Sequence, residues 1–284
     1  MSAQAATFWG VGSLRGEAAK LHAFLRRDLL VAWSYRMAFF ADFANLGAQV
    51  LLFFYIGKLV PSESLPTYGG VHASYIEFVT LGIVVNVFVQ VALTRISTAL
   101  RQEQMIGTLE AVLLTPTAAA TVQIGSAVFD LVYVPLRTSI FLAFMVLFAG
   151  VDLQPSGILP ALVILLTFIP FVWGLGIAAA AAIVTFKRGG NAMSLGALAL
   201  GFTSGAFFPL ALLPVWLAAV AEYNPLAITI DALRNALLAG TGWDGVGRDI
   251  AVLLSMSIIT LVAGSLLFKA ALNRERRRGT LGLY

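Results

Sequence analysis

Long apolar runs alternate along the chain with short polar interruptions. Six runs reach the ~20 residues that a helix needs to cross a bilayer. They cover about residues 37–60, 74–98, 121–150, 158–185, 191–213 and 250–272. This pattern predicts an all-α integral membrane protein with six transmembrane helices spread over residues 37–272. The third run is long for one span, so its first turns are expected to project from the membrane. Short polar turns at 61–75, 152–157 and 187–190 join the runs.

Three segments depart from this simple alternation. Ahead of the first span, Leu14, Ala18, Leu21, Leu25, Leu29 and Ala32 recur at helical spacing, with Arg15, Lys20, Arg26, Arg27 and Arg36 around them. Residues 1–36 therefore read as an N-terminal tail followed by an amphipathic helix at the membrane surface, its bases near anionic headgroups. A solvated N-terminal helix is the plainer alternative. Met1–Ser13, small and polar, is expected to carry no fixed structure.

The second segment, 101–116, is too polar for a bilayer and too helical in composition for a slack loop. Ile106, Leu109 and Leu113 form one helical stripe, with Glu103 and Glu110 on a neighbouring one, and Pro116 either stops this helix or begins the next. A compact helix over 101–115 is expected there, placed to meet a partner outside the membrane. The third segment, 213–248, is too apolar for a free loop and is broken by Pro214, Pro225 and Gly240. Asn224 suits an N-cap, Pro225 the first helical position and Gly240 the stop, predicting a helix over 225–239. Its length fits a partial, re-entrant element better than a span, with an amphipathic surface helix as the alternative. Asp231 and Arg234 are spaced to pair on it.

Composition narrows the class. The 284 residues are 60% hydrophobic and only 11% charged, against about 25% charged in a soluble domain. No polar block is long enough for a sizeable soluble domain, and no Gly-x-x-x-x-Gly-Lys-Ser/Thr occurs, so ATP chemistry would have to come from another chain. The net charge of +4 reports topology before any nucleic-acid partner. Fourteen of the 18 Lys and Arg residues fall at one set of span ends, the exceptions being Lys58, Arg137, Arg234 and Arg248. The positive-inside rule then puts both termini and residues 101–115 in the cytoplasm. The Arg-rich tail, 273–284, reads as a stop-transfer and lipid-surface anchor. Cysteine is absent and His22 and His72 lie far apart. This excludes disulfides and thiol chemistry and leaves no evident metal site. No cleaved signal peptide is expected.

Few residues suggest chemistry. Asp130 and Arg137 lie two turns apart within the third run, where charge must face protein or water. They either line a route or serve as structural partners. Gly201 and Gly205 form a small-xxx-small step, which predicts close helix packing. Pro135, Pro160 and Pro170 are expected to kink spans. Phe207, Phe208 and Trp216 read mainly as lipid or interface anchors. No catalytic triad, carboxylate pair or ligand cluster is evident, so no bond-making chemistry is expected.

Two passages carry a resemblance. Gly107-Thr108-Leu109-Glu110 with Leu113-Leu114-Thr115-Pro116, between the second and third runs, is similar to the segment after the second span of ABC-2 type transporter permeases. Pro209-Leu210, Leu213-Pro214-Val215-Trp216, Asn224-Pro225-Leu226, Asp231-Ala232-Leu233-Arg234 and Leu237-Leu238-Ala239-Gly240 resemble that family's segment before the last span. The resemblance implies the membrane subunit of an ATP-driven exporter in a bacterial inner membrane. It implies a coupling helix, with Arg101, Glu103, Gly107, Thr108, Leu109, Glu110, Thr115 and Pro116 facing the ATPase subunit. ATP and magnesium would be held by that subunit, present in two copies, with no cofactor in this chain. A second permease copy, as a homodimer, and membrane lipids complete the partners. Outer re-entrant helices would cap the exit, making Phe207, Phe208, Asn224, Asp231 and Arg234 gate candidates beside Asp130 and Arg137. The apolar route and short loops favour a lipophilic, drug-like molecule over a lipid-linked one. An ion-coupled secondary transporter is the alternative, although its usual internal repeat and midplane acids are not evident. A lipid-modifying enzyme is the third reading.

Overall fold

A computed structural model describes residues 14–34, 36–106, 119–186 and 190–278. Of the described residues, 82% are helical. In chain order the helices are α1 (Leu14–Ser34), α2 (Arg36–Gly57), α3 (Tyr75–Ile106), α4 (Ala119–Ala149), α5 (Ile158–Phe186), α6 (Gly190–Phe202), α7 (Val215–Ala221), α8 (Pro225–Leu237) and α9 (Trp243–Arg278).

Among the described residues, two helical stretches are long and apolar enough to cross a membrane, Pro155–Ile183 and Trp243–Ala271. Three shorter apolar stretches lie within α2, α3 and α4. The fifth run differs from expectation. It is helical over Gly190–Phe202 alone and then irregular, not a continuous helix to residue 213. The stop is local chemistry. Ser204 Oγ donates to the Gly201 carbonyl and accepts from Ala206 N–H, and Gly205 takes φ +66°, a left-handed conformation that a helix cannot continue through. Gly201 and Gly205 therefore make a helix end and not the expected packing step.

The close backbone approaches fall at other glycines. A Cβ on Gly174 of α5 would sit 2.5 Å from the Thr260 carbonyl carbon of α9, and one on Gly264 would strike the Gly174 carbonyl. Small residues let these two backbones meet, and α5–α9 is the most extensive helix pair. Ser257 Oγ donates to the Thr167 carbonyl across it at 2.6 Å. On its far side α9 turns Leu254, Ile258, Ile259, Val262 and Leu266 outward, an apolar face suited to lipid.

The main core joins α3, α5, α8 and α9 through Phe78, Leu81, Ile164, Phe168, Ile230 and Leu253. Helix α2 lies against α3, and α1 lies mainly against α4. Helix α3 starts with a capping box, Ser74 N–H donating to Glu77 Oε2 at 2.7 Å and Glu77 N–H to Ser74 Oγ at 3.4 Å. Before it, the predicted polar turn is a β-hairpin, β1 (Thr67–Tyr68) with β2 (Val71–His72), turned by Gly69 and Gly70 at positive φ.

Candidate functional site

At the end of the bundle where α3 begins, the hairpin, the 150–157 turn, the irregular 203–214 segment and α8 form a cap. Helix α8 is placed by its own ends. Asn224 Oδ1 accepts from Leu226 N–H at 2.9 Å, with Pro225 in the first turn. The Asn224 amide donates to the Leu200 carbonyl at 2.9 Å and to Thr203 Oγ1 at 2.8 Å, tying the start of α8 to the end of α6. At the other end Gly240 has φ +65°, and Gln154 N–H donates to the Leu237 carbonyl at 2.7 Å. The predicted capping residues thus act as read, and the helix stops at Leu237, two residues before the expected 239.

Arg234 is the centre of the cap. It is 2% exposed and is among the largest fully buried side chains. Its Nε and Nη2 donate to the Phe78 carbonyl at 3.2 and 2.8 Å, and Nη2 donates to the Gly205 carbonyl at 3.0 Å. The guanidinium lies 3.4 Å from the Phe78 ring centroid, a stacked cation–π geometry. Asp231 Oδ1 stands 3.5 Å from Nη1, with its carboxylate half exposed. One planar fork thereby pins α8 to α3 and to the break after α6. Gly82 permits the same contact, since a Cβ there would fall 2.6 Å from Ala206 Cα. On the hairpin, Tyr68 O–H donates to Asp231 Oδ1 at 3.4 Å. Burial pushes the Tyr68 phenol up to about 12, with Arg234 opposing the rise and Asp231 adding to it.

Beneath the cap a cleft of about 480 Å³ opens between α2, α3, α4 and α6. Its volume is in the range of small-molecule sites. Leu46, Leu52, Ile83, Val87 and Phe202 supply apolar wall, and Asn45, Gln49, Asn86, Gln90 and Arg137 supply polar groups. Phe53 and Phe207 close the cap end, stacked with centroids 5.5 Å apart, and Tyr75 O–H donates to the Phe207 carbonyl at 3.0 Å. At 1.5 Å per residue, the five polar residues lie about 12–22 Å down their helices from the cap. They stand in otherwise apolar helices, where polar side chains belong against protein or water.

The sequence candidates divide between these places. Arg137 and Phe207 line the cleft, while Phe208 packs near Phe202 with centroids 6.4 Å apart. Asp130 lies on α4, two turns before Arg137. Asn224, Asp231 and Arg234 belong to the cap. Arg101 and Glu103 are in the last turns of α3, which runs unbroken to Ile106, so the first six residues of the expected separate helix continue α3. Gly107, Thr108, Leu109, Glu110, Thr115 and Pro116 lie outside the described residues. Sequence reasoning missed the four carboxamides. Their signal was Asn45 with Gln49 and Asn86 with Gln90, each pair four apart and so on one helix face.

No curated protein matches the chain. The family model for ABC-2 type transporters matches residues 19–238, which include α2 to α8, the cap and the whole cleft lining. The apolar helices, the outward apolar face and this match make the chain a membrane protein that belongs to the ABC-2 type transporter family.

Proposed function

We propose that this chain is the permease subunit of an ATP-driven exporter, moving a lipophilic small molecule or a lipid-linked molecule out of the cytoplasm or inner leaflet by alternating access. The family match over residues 19–238 carries the reading. That family is a membrane transport domain and not itself the ATPase, so the ATP and magnesium site belongs to a partner. Two such ATPase subunits work on a homodimer of this chain in a bacterial inner membrane, both termini inside, with no nucleic-acid partner. Six spans are counted by joining α6 and the irregular 203–213 segment into one crossing. Residues 101–115 act as the lever that the ATPase grips. The cleft holds substrate, the Phe53–Phe207 stack is the gate above it, and the cap forms the outer lip. The cleft's mixed wall and the aromatic closure support these assignments.

Inverted membrane vesicles containing this chain and its ATPase test the reading. Uptake of a lipophilic fluorescent dye is expected to require ATP and to be lost in Gly107→Pro and Glu110→Arg, with expression unchanged. Uptake that ignores ATP but collapses with an ionophore would instead establish the ion-coupled alternative.

A further inference from the structure

The polar groups of the cleft wall differ in how much hydrogen-bonding capacity they have left. Gln90 and Arg137 already have partners in the structure. The Asn86 amide donates to the Gly82 carbonyl of its own helix at 3.1 Å. Among the described residues, none hydrogen-bonds the side chain of Asn45 or Gln49 on α2, and both are exposed. Leu46 and Val50, each the next residue in the chain, are buried and seat α2 on the core. That seating turns Asn45 and Gln49 to the flank of α2, where both line the cleft. Four residues of helix put the two carboxamides about 6 Å apart along one face. Each offers both donors and an acceptor. Such groups are satisfied by water in an open cleft, and a ligand that displaces water from them must replace its hydrogen bonds or lose affinity. A hydrocarbon replaces none, and an ester or a carboxylate can only accept. An amide-type group, with N–H and C=O pointing in opposite directions, can donate to one side chain and accept from the other.

We infer that the cleft takes uncharged amphiphiles carrying an amide, carbamate or urea group, which Asn45 and Gln49 hold between them. The apolar body lies along Leu52, Val87 and Phe202, which line the same cleft. This inference rests on the proposed role of the cleft as the substrate site, and it names the substrate class.

The test is equilibrium binding to the purified full-length chain in nanodiscs, with each affinity referred to the probe's concentration in the lipid as measured with empty nanodiscs. Three probes share one apolar body and nearly one size: N-methyl pyrenebutanamide, methyl pyrenebutyrate and hexylpyrene. The amide is expected to bind about tenfold more tightly than the hydrocarbon, with the ester between them. Asn45→Leu combined with Gln49→Met should bring the amide to within about twofold of the hydrocarbon. Asn45→Gln, which keeps a carboxamide, should retain most of the preference. The wild-type series stands without any variant, so a misfolded double variant does not remove the test. Equal binding of all three probes to wild type, or a preference that survives the double substitution, overturns the amide assignment and leaves the substrate cleft standing. A double variant that is monomeric in detergent where wild type is dimeric also overturns it, by assigning the two carboxamides to a contact between copies. Binding of none of the three removes the substrate cleft and the amide assignment together.

Discussion

Replacing Arg234 by Met keeps an unbranched chain of similar reach but removes the fork that joins α8, α3 and the break after α6. Two carbonyls, those of Phe78 and Gly205, lose close donors at 2.8 and 3.0 Å, and the Ala206 carbonyl loses a marginal contact at 3.4 Å that adds little. Leaving a buried acceptor unsatisfied costs about 1–3 kcal/mol, or about 2–6 kcal/mol for both. Phe78 lies inside α3, so its carbonyl also faces its own helix's ladder, which puts the loss toward the lower end. Relief of the buried guanidinium's desolvation offsets part of the rest. The Asp231 contact adds little, because that carboxylate is half exposed. The net expectation is a loss of about 3 kcal/mol. At about 2–4 °C per kcal/mol, the unfolding midpoint falls by about 6–12 °C. Thermal unfolding of the full chain in detergent, followed by tryptophan fluorescence, reads this directly. Arg234→Lys should recover less than half, since an ammonium cannot stack flat on Phe78 while reaching both carbonyls. A midpoint for Arg234→Met within 2 °C of wild type (roughly 1 kcal/mol or less) would refute the claim that this side chain holds the cap together.

Further outcomes follow from neighbouring contacts. Asn224→Ala removes a helix cap and both ties to α6; a loss of about 1–2 kcal/mol and faster hydrogen exchange at the start of α8 are expected, and unchanged exchange would count against the tie. Gly174→Leu drives a side chain into the α9 backbone and should abolish monodisperse protein on size exclusion, whereas Gly196→Ala, with nothing within 4 Å of its Cβ, should be tolerated. The Tyr68 phenol, raised to about 12, favours the folded state fully below its ordinary value of 10.0, and that contribution is lost as pH climbs from there through 12. The ultraviolet titration difference between wild type and Tyr68→Phe should therefore lack a phenolate step near pH 10. In Arg234→Met that step should move higher still, because the opposing positive charge is gone.

Local signals made much of this protein legible. Asn224, Pro225 and Gly240 announced α8, because capping and proline geometry act within a few residues of the chain. The apolar runs announced the helices, since length and charge depletion are properties of a segment alone. Lateral arrangement was a different matter. An apolar helix looks much the same on every face, so nothing in the sequence said that Gly174 meets α9 or that Gly82 receives Ala206. The Asp231–Arg234 spacing was readable, yet the stronger partners of Arg234 are carbonyls 156 and 29 residues away. The fifth run was misjudged past Phe202 because its hydropathy continues while its backbone turns at Gly205.

What the sequence determined by itself was the class of molecule, the capping of α8 and the charge asymmetry, all set by short-range chemistry and by the solvent that each segment requires. The tertiary structure decided which faces meet, where the buried arginine finds its acceptors and which four amides gather beside Arg137. Those outcomes depend on packing between elements distant in the chain, and packing is a property of pairs of surfaces, which no single segment encodes.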